Sequence, residues 1–169
     1  STTVTNLPTD SGQYATGDSV TVSADNPSRS GYTFAGWYDT STVPATGTLY
    51  AAGTANDIYT MGTSNLGFYA SWTANKYRFN PNTGTGSASD LTYAGSALTA
   101  ITNTFGAPSG YEFDGWCTSA LAAGTTTCNS GDTKYLESAS LPNPEAPIVN
   151  LYAIWKSTAT TPPAPVYVP

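Results

Sequence analysis

Only 9% of the 169 residues are charged, against roughly 25% in an ordinary soluble protein, and 18 Ser and 29 Thr fill the deficit. With three Lys, two Arg and a formal net charge of −6, the chain lacks the clustered cations that nucleic acid or an anionic membrane surface demands. No apolar run reaches the ~18 residues of a membrane span. The absence of any His removes the usual general base of a Ser or Cys nucleophile.

Four Trp, twelve Tyr and five Phe give far more buriable area than a disordered Ser/Thr-rich stalk carries. A surface solubilised by hydroxyls suits an exported protein, so the expected location is extracellular. No signal peptide lies within the sequence, so an exported chain would have lost it or carry it elsewhere.

In chain order, Ser1–Asn6 leaves room for only a short first strand, or none. Thr16-Gly17-Asp18 reads as a turn into the β-branched strand Val20-Thr21-Val22-Ser23. Gly31 ends a turn after Ser28-Arg29-Ser30, and Gly36 permits a bulge or close packing under Trp37. Leu66, Phe68, Ala70 and Trp72 alternate with Gly67, Tyr69 and Ser71, the period-2 pattern of a strand with one core face.

Beyond Thr73-Ala74-Asn75, Tyr77-Arg78-Phe79 opens a further strand and runs into the turn Asn80-Pro81-Asn82-Thr83-Gly84. Helix is expected at most over Ser96-Ala97-Leu98-Thr99-Ala100-Ile101, where Thr and Ile weaken it. Val149, Leu151, Ala153 and Trp155 repeat the one-faced alternation.

These elements repeat. Gly31-Tyr32-Thr33-Phe34-Ala35-Gly36-Trp37 returns as Gly110-Tyr111-Glu112-Phe113-Asp114-Gly115-Trp116, 79 residues on, and Tyr14-Ala15 returns at the same offset as Tyr93-Ala94. Leu66–Trp72 returns as Val149–Trp155, offset 83. The chain is a tandem duplication. Its expected parts are residues 1–73, residues 76–156 and a tail, 157–169. Residues recurring in both copies, namely Tyr32, Phe34, Trp37, Phe68 and Trp72 with Tyr111, Phe113, Trp116, Leu151 and Trp155, are the expected core anchors.

Cys117 and Cys128 are too few for a thiolate zinc site, with no His to complete one. They would stay thiols in a reducing compartment and pair in an oxidising one; export favours the disulfide. Glu112 and Asp114 could be read as a glycosidase-like carboxylate pair, but the first copy has Thr33 and Ala35 there, and an exposed acidic face is the better reading. Asp10, Asp18, Asp25, Asp39, Asp57, Asp90, Asp114 and Asp132 are scattered and form no calcium-loop run. Neither cofactor nor metal is expected.

The pair Gly-Tyr-x-Phe-x-Gly-Trp and Tyr-Ala-x-Trp, here Gly31–Trp37 with Tyr69–Trp72 and Gly110–Trp116 with Tyr152–Trp155, resembles the internalin B-repeat, or Listeria–Bacteroides repeat. The lead-in Pro8-Thr9-Asp10-Ser11-Gly12, Tyr14 and Gly17-Asp18 is similar to the family's as well. The resemblance implies mainly β, β-grasp-like modules, here two in tandem with little helix and expected end to end as a rod. It also implies a bacterial surface protein without shared catalytic residues.

The expected function is therefore non-enzymatic, a spacer or adhesion element whose partners are neighbouring modules or subunits, with any host ligand left open. A second reading is a self-assembling fibre subunit: the first copy looks one strand short, and the Pro-rich tail ends in Val166-Tyr167-Val168, a strand it could donate to a neighbour. A third is a carbohydrate-binding module, with Tyr59 and Tyr167 as stacking candidates.

Overall fold

The computed structural model describes residues 3–42, 46–53 and 57–159. Among these, fourteen strands and no helix occur, so the fold is mainly β. The chain divides into two compact units. The first holds residues 1–76 together with 92–96 and 143–148; the second holds 77–91, 97–142 and 149–169.

The first sheet is built on β4 (Tyr32–Tyr38). One edge of β4 carries β3 (Ser28–Arg29), which in turn carries β1 (Val4–Thr5), and further along carries β5 (Leu49–Ala51). The other edge pairs with β7 (Tyr69–Ala74) from Tyr32↔Ala74 to Tyr38↔Tyr69. A separate two-stranded ladder joins β2 (Ser19–Thr21) to β6 (Ile58–Thr60).

The second sheet runs β12 (Lys134–Tyr135), β11 (Tyr111–Cys117), β14 (Ile148–Ser157), β8 (Lys76–Asn80), β9 (Leu91–Thr92). Its companion ladder joins β10 (Leu98–Thr99) to β13 (Ser140–Leu141). Here the expected helix fails. Leu98 is buried and paired with Leu141; burying this leucine in a β ladder outweighs a local preference that Thr99 and Ile101 already weaken.

The repeated motif is a bulged strand. Side chains three residues apart on a regular strand point to opposite faces, so Phe34 and Trp37 could not share a core. The ladder with β7 shifts register between Phe34 and Gly36, Gly36 takes φ 138°, and the two rings meet edge-on at 5.0 Å between centroids. The second copy repeats the device. Its register shifts between Phe113 and Gly115, Gly115 has φ 127°, and Phe113 and Trp116 lie 4.8 Å apart. In both copies the indole N–H donates to a backbone carbonyl at 3.2 Å, Ser23 for Trp37 and Ile101 for Trp116. A single extra residue thus converts a period-2 strand into one that buries both aromatics.

The closing strand of the first copy is shorter than its alternation suggests. β7 begins at Tyr69, opposite the last residue of β4, so Leu66, Gly67 and Phe68 have no ladder partner on β4. Phe68 still packs, half-buried, against the cluster of Val22, Phe34 and Trp37.

Candidate functional site

Of the expected anchors, Phe34, Trp37, Trp116, Leu151 and Trp155 are buried, while Tyr32, Phe68, Trp72, Tyr111 and Phe113 are half-buried. Tyr32 lies between the Arg29 guanidinium, 4.0 Å from its ring centre, and the Tyr93 ring at 5.3 Å. Val166, Tyr167 and Val168 lie outside the described residues. Tyr59, a candidate for stacking on a sugar, has its ring engaged edge-on by Tyr50 at 6.4 Å and Phe68 at 5.8 Å.

The acidic residues are tied to neighbours. Glu112 pairs with Lys156 at 2.9 Å and Asp114 with Lys134 at 2.5 Å, each across to an adjacent strand. The hydrogen bond and charge of Glu112 raise the Lys156 pKa. Arg78 holds Asp90 through two nitrogens at 3.0 Å each. Asp132 accepts from the Ser119 hydroxyl at 2.6 Å and the Thr118 hydroxyl at 2.9 Å, which lowers its pKa.

Cys117 and Cys128 form a disulfide, with Cα atoms 6.0 Å apart. Sequence alternation had placed Ile154 on the outward face of β14, opposite Leu151, Ala153 and Trp155. The structure instead buries Ile154 completely against Cys117 and Leu121, with Cys128 packed alongside. The disulfide-closed loop folds over the second face of the sheet and gives it a small core of its own. The first copy carries Ser71 and Tyr38 at the equivalent positions, both half-buried.

One buried polar residue gives no signal in hydrophobic patterning. Asn75, the single residue between β7 and β8, is 1% exposed. Its backbone N–H donates to Gly31 at 3.0 Å and its carbonyl accepts from Tyr93 at 2.9 Å. Its side chain donates to the Pro144 carbonyl at 2.8 Å and accepts from the Thr33 hydroxyl at 2.6 Å. Every polar group of this residue is satisfied, as burial requires. Asn75 lies at the boundary that the sequence marks, yet composition alone gives no reason to bury it.

A groove of about 1210 Å³ lies in the first unit, between the Leu7–Tyr14 segment and a wall that includes Val20, Val22, Trp37 and Phe68. Its rim carries an ordered turn: the Asp10 carboxylate accepts from the Gly12 N–H at 2.7 Å and the Tyr14 hydroxyl at 2.8 Å. Both bonds lower the Asp10 pKa, and the carboxylate raises that of Tyr14. Leu7 is 54% and Tyr14 41% exposed.

This arrangement defines a duplicated β module whose recurring residues build bulges and aromatic packing. The chain belongs to the Listeria–Bacteroides repeat family, whose model matches residues 2–71 and again 77–141. The family consists of bacterial surface-protein modules, typically non-catalytic, which indicates an extracellular setting. Comparison with curated proteins and with solved structures gave no match. Among the described residues, no helix is long and apolar enough to cross a membrane.

Proposed function

We propose that this chain is a structural spacer of a bacterial surface protein, carrying mechanical load between whatever lies on its two sides and performing no chemistry. The observation that supports this most is Asn75. This residue, which follows β7, is buried and bonded at all four polar groups to residues of its own unit, so the end of that strand is held rather than left to fray. The long antiparallel ladders β4–β7 and β11–β14 offer backbone bonds that must break together when the ends are pulled.

Single-molecule pulling on the two termini tests the reading. It predicts discrete force peaks for the two units, with Asn75→Ala lowering the force of the event that opens the first. Smooth extension without peaks, like that of an unstructured chain, would contradict it.

A further inference from the structure

The outer faces of the two main sheets differ. In the first sheet, Trp37 and its partner Ala70 pack into the core, so the next pair, Tyr38 and Tyr69, points out on the opposite face. Leu49 on β5 extends the row, since it pairs with Tyr38 from the other side. Tyr69 is 48% and Leu49 43% exposed, and Tyr38 is half-buried. Ser71, Thr73 and Thr33 continue the same face along β7 and β4. None of these six side chains is charged.

In the second sheet the same positions hold Cys117, Tyr152, Lys134, Ile154, Lys156 and Glu112. There Glu112 and Lys156 close an ion pair, and the disulfide loop seals Cys117 and Ile154 from water. The first unit has no such loop over this face among the described residues. Its tyrosines divide in the same sense. Tyr14 donates to a carboxylate, and Tyr32, Tyr50 and Tyr59 engage other rings, whereas Tyr38 and Tyr69 have neither a ring partner nor a hydroxyl partner among the described residues. The tip of the Tyr69 ring lies beside Gly67, where an added Cβ would stand 3.2 Å from the hydroxyl, so the ring reclines along the strand. A strand flanking β7 would not close this face: Tyr152 stays half-buried, not buried, although β14 is flanked on both edges.

The geometry points to a shallow binding face for a neutral glycan chain, with Tyr38 and Tyr69 as its stacking residues. A pyranose ring with equatorial substituents presents an apolar C–H face and a rim of hydroxyls. Tyrosine matches both parts, with an apolar body for the ring face and a polar tip for the wet rim. Directly paired residues stand ~5 Å apart, so both rings reach one extended sugar chain, and Ser71 and Thr73 offer hydroxyls beside it. Charge selects the ligand class. An anionic polymer would meet a chain of net charge −6 with no cation on this face, and a cationic one would find no carboxylate on it. An uncharged oligosaccharide meets neither obstacle. This inference does not depend on the spacer reading.

The test is a titration of the natural chain with neutral β-linked hexasaccharides of glucose, N-acetylglucosamine and xylose, read from backbone amide shifts. At least one should move the amides of Tyr38, Leu49, Tyr69 and Ser71 while β11 and β14 stay still. Tyr38→Ala with Tyr69→Ala should weaken that binding by about tenfold or more, whereas the double change to Phe, which keeps both rings, should retain most of it. Unmoved amides elsewhere in each variant show that the fold is intact. A hexasaccharide of galacturonic acid, the anionic control, should not bind. Silence with all the neutral sugars would overturn the proposal, and so would shifts centred on another surface, binding that survives the Ala changes, or equal binding of the galacturonate. Movement of the same amides on raising the protein concentration alone would also overturn it, because the face would then join copies of this chain.

Discussion

Phe79 meets the indole of Trp116 edge-on, with ring centroids 4.8 Å apart, and Trp116 is also flanked by Phe105 at 5.8 Å and Phe113 at 4.8 Å. Trp37 holds the equivalent place in the first unit but lines a groove. Trp116→Ala should therefore destabilise its unit by about 3–5 kcal/mol, the usual cost of emptying a buried aromatic site. Trp37→Ala should cost less, because part of that volume is already open. Chemical denaturation of each variant, followed by the remaining tryptophans, separates the two values; equal losses would show that the groove does not weaken the first core.

Gly36 and Gly115 carry the bulges, and neither tolerates a side chain. A Cβ on Gly36 would run into the Tyr50 carbonyl oxygen, and one on Gly115 would come within 2.7 Å of the Tyr135 carbonyl. Both also hold left-handed φ angles, costing roughly 1–3 kcal/mol for a residue other than Gly. Gly36→Ala and Gly115→Ala should each destabilise their own unit by at least that amount and detach β5 or β12 from the sheet. Chemical-shift changes confined to Leu49–Ala51 or Lys134–Tyr135, together with the denaturation midpoint, would report it.

Asn75→Ala removes a donor and an acceptor at once, leaving the Pro144 carbonyl and the Thr33 hydroxyl without their partner. A buried orphaned group costs about 1–3 kcal/mol, so the variant should lose on the order of 2 kcal/mol from the first unit. Thr33→Val should lose less, since it removes only one of these bonds. A denaturation series over the three chains checks the order.

Reduction of Cys117–Cys128 releases a loop closure worth ~3 kcal/mol on the chain-entropy account. Because Ile154 and Leu121 share that small core, the effect should extend from the loop to the outer face of β14, while Leu151, Ala153 and Trp155 on the other face stay packed. Amide exchange before and after reduction distinguishes this from loosening of residues 118–129 alone.

Asp132 adds a pH dependence to the same loop. Its pKa is lowered in the folded chain by the Ser119 and Thr118 hydroxyls. Its stabilising contribution is thus present above the ordinary carboxylate value and lost as pH falls through the depressed folded value. The loop should loosen on the acid side, below about pH 4, and Asp132→Asn should flatten that limb of the stability curve. An unchanged acid limb in the variant would assign the dependence to other carboxylates.

Much of this was legible in the residues. The glycines and aromatics of Gly31–Trp37 and Gly110–Trp116 announced a repeat and a bulge, because a positive φ and a register shift leave a Gly before a Trp. The second face of β14 was not legible: alternation predicts that Ile154 points outward, and only the loop closed by Cys117 and Cys128, 11 residues apart, covers it. Asn75 was missed since a buried amide is defined by partners as distant as Pro144. The strand at Leu98–Thr99 was hidden because its partner, Ser140–Leu141, is 42 residues away, beyond the reach of local propensity. The groove lined by Leu7, Tyr14 and Trp37 was not legible either, since it joins residues far apart in sequence.

The most direct test of the account is amide exchange along β7 and β14 in this chain. With a neighbour on one edge only, about half of the Tyr69–Ala74 amides should exchange rapidly, while the segment of β14 lying between β11 and β8 stays protected throughout. Equal, strong protection of both strands would contradict the account, because it would mean that both edges of β7 are paired.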